Sequence, residues 1–180
     1  MRKILPARIY IAFALMLGMA SCNDSAEDRI KSMIKRTQSW AADPVIIEAV
    51  KAHNQKLTDE EASMTQENWR GLTVTDSIIR GYMNNPAALF LKANKDPLIT
   101  EAFVSGADGK KVAFLNKPTH WSHLGMPKHD EPMQGRNWQG KLEMDDSTGH
   151  QQIQIAVPVM DGGKPIGSIV VGISAIKLSE

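Results

Sequence analysis

A single cysteine, Cys22, occurs in the whole sequence, so no intramolecular disulfide is available to it. Charge of one sign is missing too: 21 basic residues face 20 acidic ones, for a formal charge of +1. That balance argues against an electrostatic nucleic-acid binder. Aromatic residues are sparse, 6% of the chain, and there are no internal repeats or low-complexity stretches. Long hydrophobic runs are absent after residue 22. No P-loop and no dinucleotide fingerprint occurs, so nothing implies a cofactor. Neither Ser105 nor Ser122 has the context of a nucleophile, which argues against an enzyme. What remains is a chain of 180 residues, 42% hydrophobic. That suffices for one domain with a real core and no disulfide or metal staple.

The first residues read as an address rather than as fold. Arg2, Lys3 and Arg8 form a basic start, and Ile9 to Gly18 is an apolar run too short to span a bilayer as a mature helix. Leu17-Gly18-Met19-Ala20-Ser21-Cys22 resembles a lipobox, with methionine where leucine is commoner. The expectation is a lipoprotein signal peptide over 1–21 and lipidation of Cys22, exposing the chain on the periplasmic side of the cell envelope. The lipid would be its only membrane attachment. Loss of Arg2, Lys3 and Arg8 turns the formal charge from +1 to −2.

Residues 22–28 read as a polar tether, and 29–180 as one domain. From Arg29, the apolar stripe Ile30, Met33, Ile34 and Ala41 is helical. It would pack on the chain's own sheet or form the seam of a homodimer. Asp43-Pro44 starts a second helix by capping. Thr58 to Glu61 is a capping box opening a third, which would carry Trp69. Asp76 and Asn85-Pro86 start two more. The second half changes period. Strands are expected at Leu98–Ser105, Lys111–Leu115, Lys141–Met144, Gln151–Met160 and Ile166–Ile173, with Asp161-Gly162-Gly163-Lys164 as a hairpin turn. In the long strand, Ile153, Ile155, Val157 and Val159 alternate with Gln152 and Gln154, which predicts one buried face. The fold class is therefore α+β, helices first and then a five-stranded antiparallel sheet. Asn116 to Gly140 is longer than most connections in a compact domain, and such segments tend to be functional.

Three stretches carry a resemblance: FVSGADGKKVAFLN, NKPTHWSHLGMPKHDEPMQGRNWQGKLEMDD and QIQIAVPVMDGGKPIGSIVVGIS. Together, over about Arg29 to Ile176, they resemble a single Cache (PDC) domain, an extracytoplasmic PAS-like sensor module. The resemblance implies a PAS-like sheet with a ligand pocket on one face, walled by the Asn116–Gly140 segment. Arg136-Asn137-Trp138 is only a fragment of the amino-acid-binding motif of double Cache domains. The implied function is recognition of a small organic ligand, with the signal passed to a separate membrane partner.

The long segment supplies the candidate site: Lys117, His120, Trp121, His123, Asp130, Met133, Arg136 and Trp138. Arginine suits a carboxylate ligand through its two parallel donors. Asp130 suits an amine, and the tryptophans offer stacking faces for a ring or a cation. The plainer reading is that Trp121 and Trp138 anchor the segment while the charges face water. His120, His123 and His129 raise an alternative, an envelope metal- or haem-handling lipoprotein. Gly125 and Pro127 argue against the helix that their spacing would need.

Overall fold

The computed structural model describes residues 25–144 and 149–180. The signal peptide and Cys22 lie outside the described residues. Six helices come first: α1 Ala26–Ala41, α2 Pro44–Gln55, α3 Asp59–Ser63, α4 Gln66–Gly71, α5 Ser77–Asn84 and α6 Pro86–Asn94. Local chemistry sets their ends. The Ser25 side chain accepts from Asp28 N, Asp43 from Val45 N and Asn85 from Ala88 N, each satisfying an orphan donor of a first turn. Thr58 and Glu61 form the reciprocal capping box. Two boundaries differ from expectation. The first helix opens at Ala26, not Arg29, because Ser25 caps it. Trp69 is not on the helix that Thr58 opens. That helix ends at Ser63, and Thr65 then caps α4 through Asn68 N.

The strands are β1 Ile99–Gly106, β2 Lys111–Phe114, β3 Trp138–Met144, β4 Gln151–Asp161 and β5 Lys164–Ser174, followed by the short helix Ala175–Leu178. They form one antiparallel sheet in the order β2-β1-β5-β4-β3. Gly162 (φ 55°) and Gly163 (φ 80°) take the left-handed conformation that the β4–β5 turn requires. Between β2 and β3 lie a short helix, α7 Pro127–Asp130, and a 3₁₀ turn, Pro132–Gln134.

Both faces of the sheet are covered. On one, Val104, Ile155, Val157, Ile169, Val171 and Ile173 pack against Ile30, Met33, Trp40, Ile46, Val50 and Leu91 from α1, α2 and α6. Burial of each such side chain contributes about 1.5–3 kcal/mol. The apolar stripe of α1 thus packs on the chain's own sheet. On the other face, Phe103, Phe114, Ala156 and Val170 meet Trp69, Ile79, Tyr82 and Trp121. The expectation of a single buried face for β4 fails here: Gln152 and Gln154 are as buried as Ile155, while Ile153 is only half-buried. Among the described residues, no helix is long and apolar enough to cross a membrane.

Candidate functional site

The segment from Asn116 to Asn137 lies over the second face, held at several points. Trp121 packs at a tilt against Trp69 and Tyr82, 4.9 Å and 5.6 Å ring centre to ring centre. Trp69 Nε1 donates to Pro118 O (2.8 Å), and His123 N donates to Gly109 O (3.0 Å). His129 is buried, with Nδ1 2.9 Å from Ser168 Oγ and Nε2 3.4 Å from Ala107 O.

Between this segment and the sheet is a cavity of about 180 Å³. Glu101, Phe103 and Gln154 line it from the sheet, Pro118, Thr119, His120, His123 and Lys128 from the segment, and Glu143 and Met144 from β3. Burial makes each polar group here dependent on a partner. Glu101 Oε1 accepts from Gln152 Nε2 (2.6 Å) and Gln154 Nε2 (2.5 Å). Gln154 Oε1 in turn accepts from Lys128 Nζ (2.6 Å), and Gln152 Oε1 from the Thr100 hydroxyl. Gly172 pairs with Glu101 on one side and Gln154 on the other, so these side chains meet above a residue that has none.

Beneath His123 lies Lys111, with none of its surface exposed. Its Nζ is 2.6 Å from His123 Nδ1, 3.3 Å from Ser105 Oγ and 3.4 Å from Gly109 O, and 4.8 Å from the centre of the Phe103 ring. His123 stacks on Phe103 at 4.9 Å and 18°. Burial, then the Lys128 charge, pushes the Lys111 amine well below its ordinary range. Burial, with the charges of Lys111 and Lys128, likewise holds His123 neutral at ordinary pH. The result is an aromatic floor with a fixed carboxylate–amide–ammonium row along one side. Both signs of charge face the same small cavity.

Of the residues expected from the sequence, His120 and His123 line the cavity. Trp121 belongs to the aromatic core, where its Nε1 lacks a hydrogen-bond partner. Trp138 is half-buried and packs on that same cluster. Lys117 Nζ lies 4.8 Å over the Trp69 ring, outside the cavity. Asp130 accepts from Gly125 N (3.0 Å), and exposed Arg136 binds Glu131 (2.6 Å) and Gln134 (2.7 Å). These last contacts fold the segment on itself. Met133, half-buried near them, does not line the cavity. Sequence reasoning missed Glu101, Lys111, Gln152 and Gln154. The available signal was polar residues interrupting otherwise apolar strands.

His120 and His123, two of the three histidines of the metal alternative, lie 5.7 Å apart, ring centre to ring centre. Both ring nitrogens of His129 face protein partners. Among the described residues, no group of three or more His, Cys, Asp or Glu side chains is arranged to hold a metal ion. A larger hollow, about 640 Å³, lies elsewhere, between α2 and the α5–α6 corner. It is largely apolar, whereas the paired polar groups converge on the smaller cavity.

No family model and no curated protein matches the chain. Solved structures do. The chain is similar to the sensor domain of the V. cholerae histidine kinase DctB, at 14% identity and a TM-score of 0.48, over 85% of this chain and 55% of that one. It is similar to the E. coli DcuS sensor domain at 11% identity and 0.48, over 86% and 94% respectively. The ligand-binding domain of the Campylobacter jejuni chemoreceptor Tlp3, in complex with 4-methylisoleucine, follows at 12% and 0.43, over 85% and 56%. The chain thus spans little more than half of the DctB and Tlp3 structures. The chain's own fold is α+β with a five-stranded antiparallel sheet.

Proposed function

We propose that this chain is a lipid-anchored, extracytoplasmic binding domain that recognises a small organic ligand between its sheet and the 117–138 segment. The observation that carries the reading is the row Lys128–Gln154–Glu101, fixed by hydrogen bonds of 2.5–2.6 Å at the edge of the cavity. Buried charges are costly, and a fold keeps them where they are paired and have something to bind. Lys128 suits a carboxylate and Glu101 an amine, while Phe103 and His123 supply a flat apolar floor. At about 180 Å³ the cavity suits a compact metabolite. The basic start, apolar run and lipobox-like stretch ending at Cys22 support the anchor, and a tethered binding domain acts by passing occupancy to a membrane partner.

A screen of small carboxylates and amines by thermal unfolding tests the ligand reading. A binder at about 100 times its dissociation constant adds about 2.7 kcal/mol of stability. No shift across such a library contradicts it. The anchor is tested separately by labelling cells with a fatty-acid analogue: label on the wild type and none on Cys22→Ala is expected, and equal label or none on both contradicts it.

A further inference from the structure

The 640 Å³ groove takes no part in the site above. Its walls are apolar. Val45, Ala49 and Ala52 line it from α2, and Pro86 and Val112 face them. Ala49 and Ala52 share a helix face at i and i+3, and their methyl groups leave the groove open.

One end is polar. The His53 side chain is 6% exposed, and its Nε2 lies 3.1 Å from Asp108 Oδ1. Burial favours a neutral Asp108, but the His53 hydrogen bond and Lys110 N hold its carboxyl at about 2. An ionised carboxylate only accepts, so the hydrogen of the neutral imidazole is on Nε2 and Nδ1 keeps a lone pair. The Cδ2–Nε2 edge of the ring is against Gly106, where a Cβ would fall 2.8 Å from Nε2. Nδ1 is on the opposite side of the ring and has no partner among the described residues. Glu61 lines the groove as well, its carboxylate fixed by the Tyr82 hydroxyl (2.6 Å) and by Thr58 N and Oγ1 (2.8 Å each). Burial and the charges of Glu61, Glu60 and Asp108 all raise the Tyr82 phenol. Glu61 thus brings negative charge to the end of the apolar trough that His53 lines. The lining cation, Lys56, is exposed to water.

We propose that this groove is a second ligand site, for an organic ammonium ion with an apolar tail. The tail lies along Ala49, Ala52 and Val112. The head donates a hydrogen bond to His53 Nδ1 and faces the carboxylate of Glu61, which lines the same end of the groove.

Calorimetry of the full chain at pH 8 with n-hexylamine, hexanoate and hexanol tests this, alongside Ala52→Phe. Hexylammonium is expected to bind at least about tenfold more tightly than either of the others, a difference well within the reach of one charge-assisted hydrogen bond. Ala52→Phe fills the groove from an exposed helix position and is expected to weaken hexylammonium by about tenfold or more, with an unchanged unfolding temperature. A nitrogen-15 shift at His53 Nδ1 on binding locates the head. Equal binding of hexanoate, indifference to Ala52→Phe, or no binding of hexylamine at millimolar concentration each overturns the proposal. So does a dimer in solution whose dissociation is needed before hexylamine binds, since the groove's occupant is then a second copy.

Discussion

Lys111 has no exposed surface, and its neighbours are a histidine, a serine, a carbonyl and a phenyl ring. Both it and His123 have pKa values below their ordinary ones. The unfolded chain therefore takes up protons that the folded chain does not, and stability falls as pH falls. For His123 the loss begins near its ordinary value of 6.5 and grows by up to about 1.4 kcal/mol per pH unit below it. Asp108, whose folded carboxyl is held at about 2 against an ordinary 3.8, adds a loss of the same sign only in stronger acid. Urea unfolding at pH 7 and pH 5 is expected to show a clear drop, and equal stability at both contradicts this account. Lys111→Met removes one of the charges that depress His123, so its titration, read by NMR, moves up. The variant also costs about 1–3 kcal/mol, because His123 Nδ1 loses its buried partner.

At the scale of the elements, β5 runs through the middle of the sheet and positions the site by what it omits. A Cβ on Gly172 would meet Gln152 Oε1, Thr100 Oγ1 and, at 2.8 Å, Glu101 Cγ. Gly172→Ala is therefore expected to displace the Glu101–Gln152 pair, to cost about 1–3 kcal/mol and to weaken any cavity ligand. Gly81, in α5, is the contrast: nothing lies within 4 Å of its Cβ position, so Gly81→Ala gains roughly 0.5–1 kcal/mol. Similar melting temperatures for the two variants contradict the crowding at Gly172. Elements of this kind are legible in a sequence where their ends are chemical. Asp43-Pro44, the Thr58–Glu61 box, Asn85-Pro86 and the Asp161–Lys164 turn all act where their side chains suggest. Trp69 was misassigned because Thr65 restarts the capping chemistry only two residues after a helix ends, within a run that keeps its helical periodicity.

Across the whole molecule, the α+β order and the place of the cavity were legible, since a long segment rich in tryptophan and histidine has to lie on something. Most of the cavity's polar wall was not. Glu101, Gln152 and Gln154 meet only because β1, β5 and β4 are neighbours in a particular register, and strand order is not written in any one strand. Gln152 and Gln154 looked like a solvent face because alternation marks two faces without saying what covers each. Trp121, which looked like a platform for a ligand, serves instead to hold the segment down on Trp69 and Tyr82. The proposed ligand lies between Lys128 and Glu101. Backbone and side-chain NMR shifts, recorded with whichever carboxylate or amine most stabilises the protein, test it most directly. The account predicts the largest changes at Glu101, His123, Lys128 and Gln154. Changes centred elsewhere, with those four residues unmoved, contradict it.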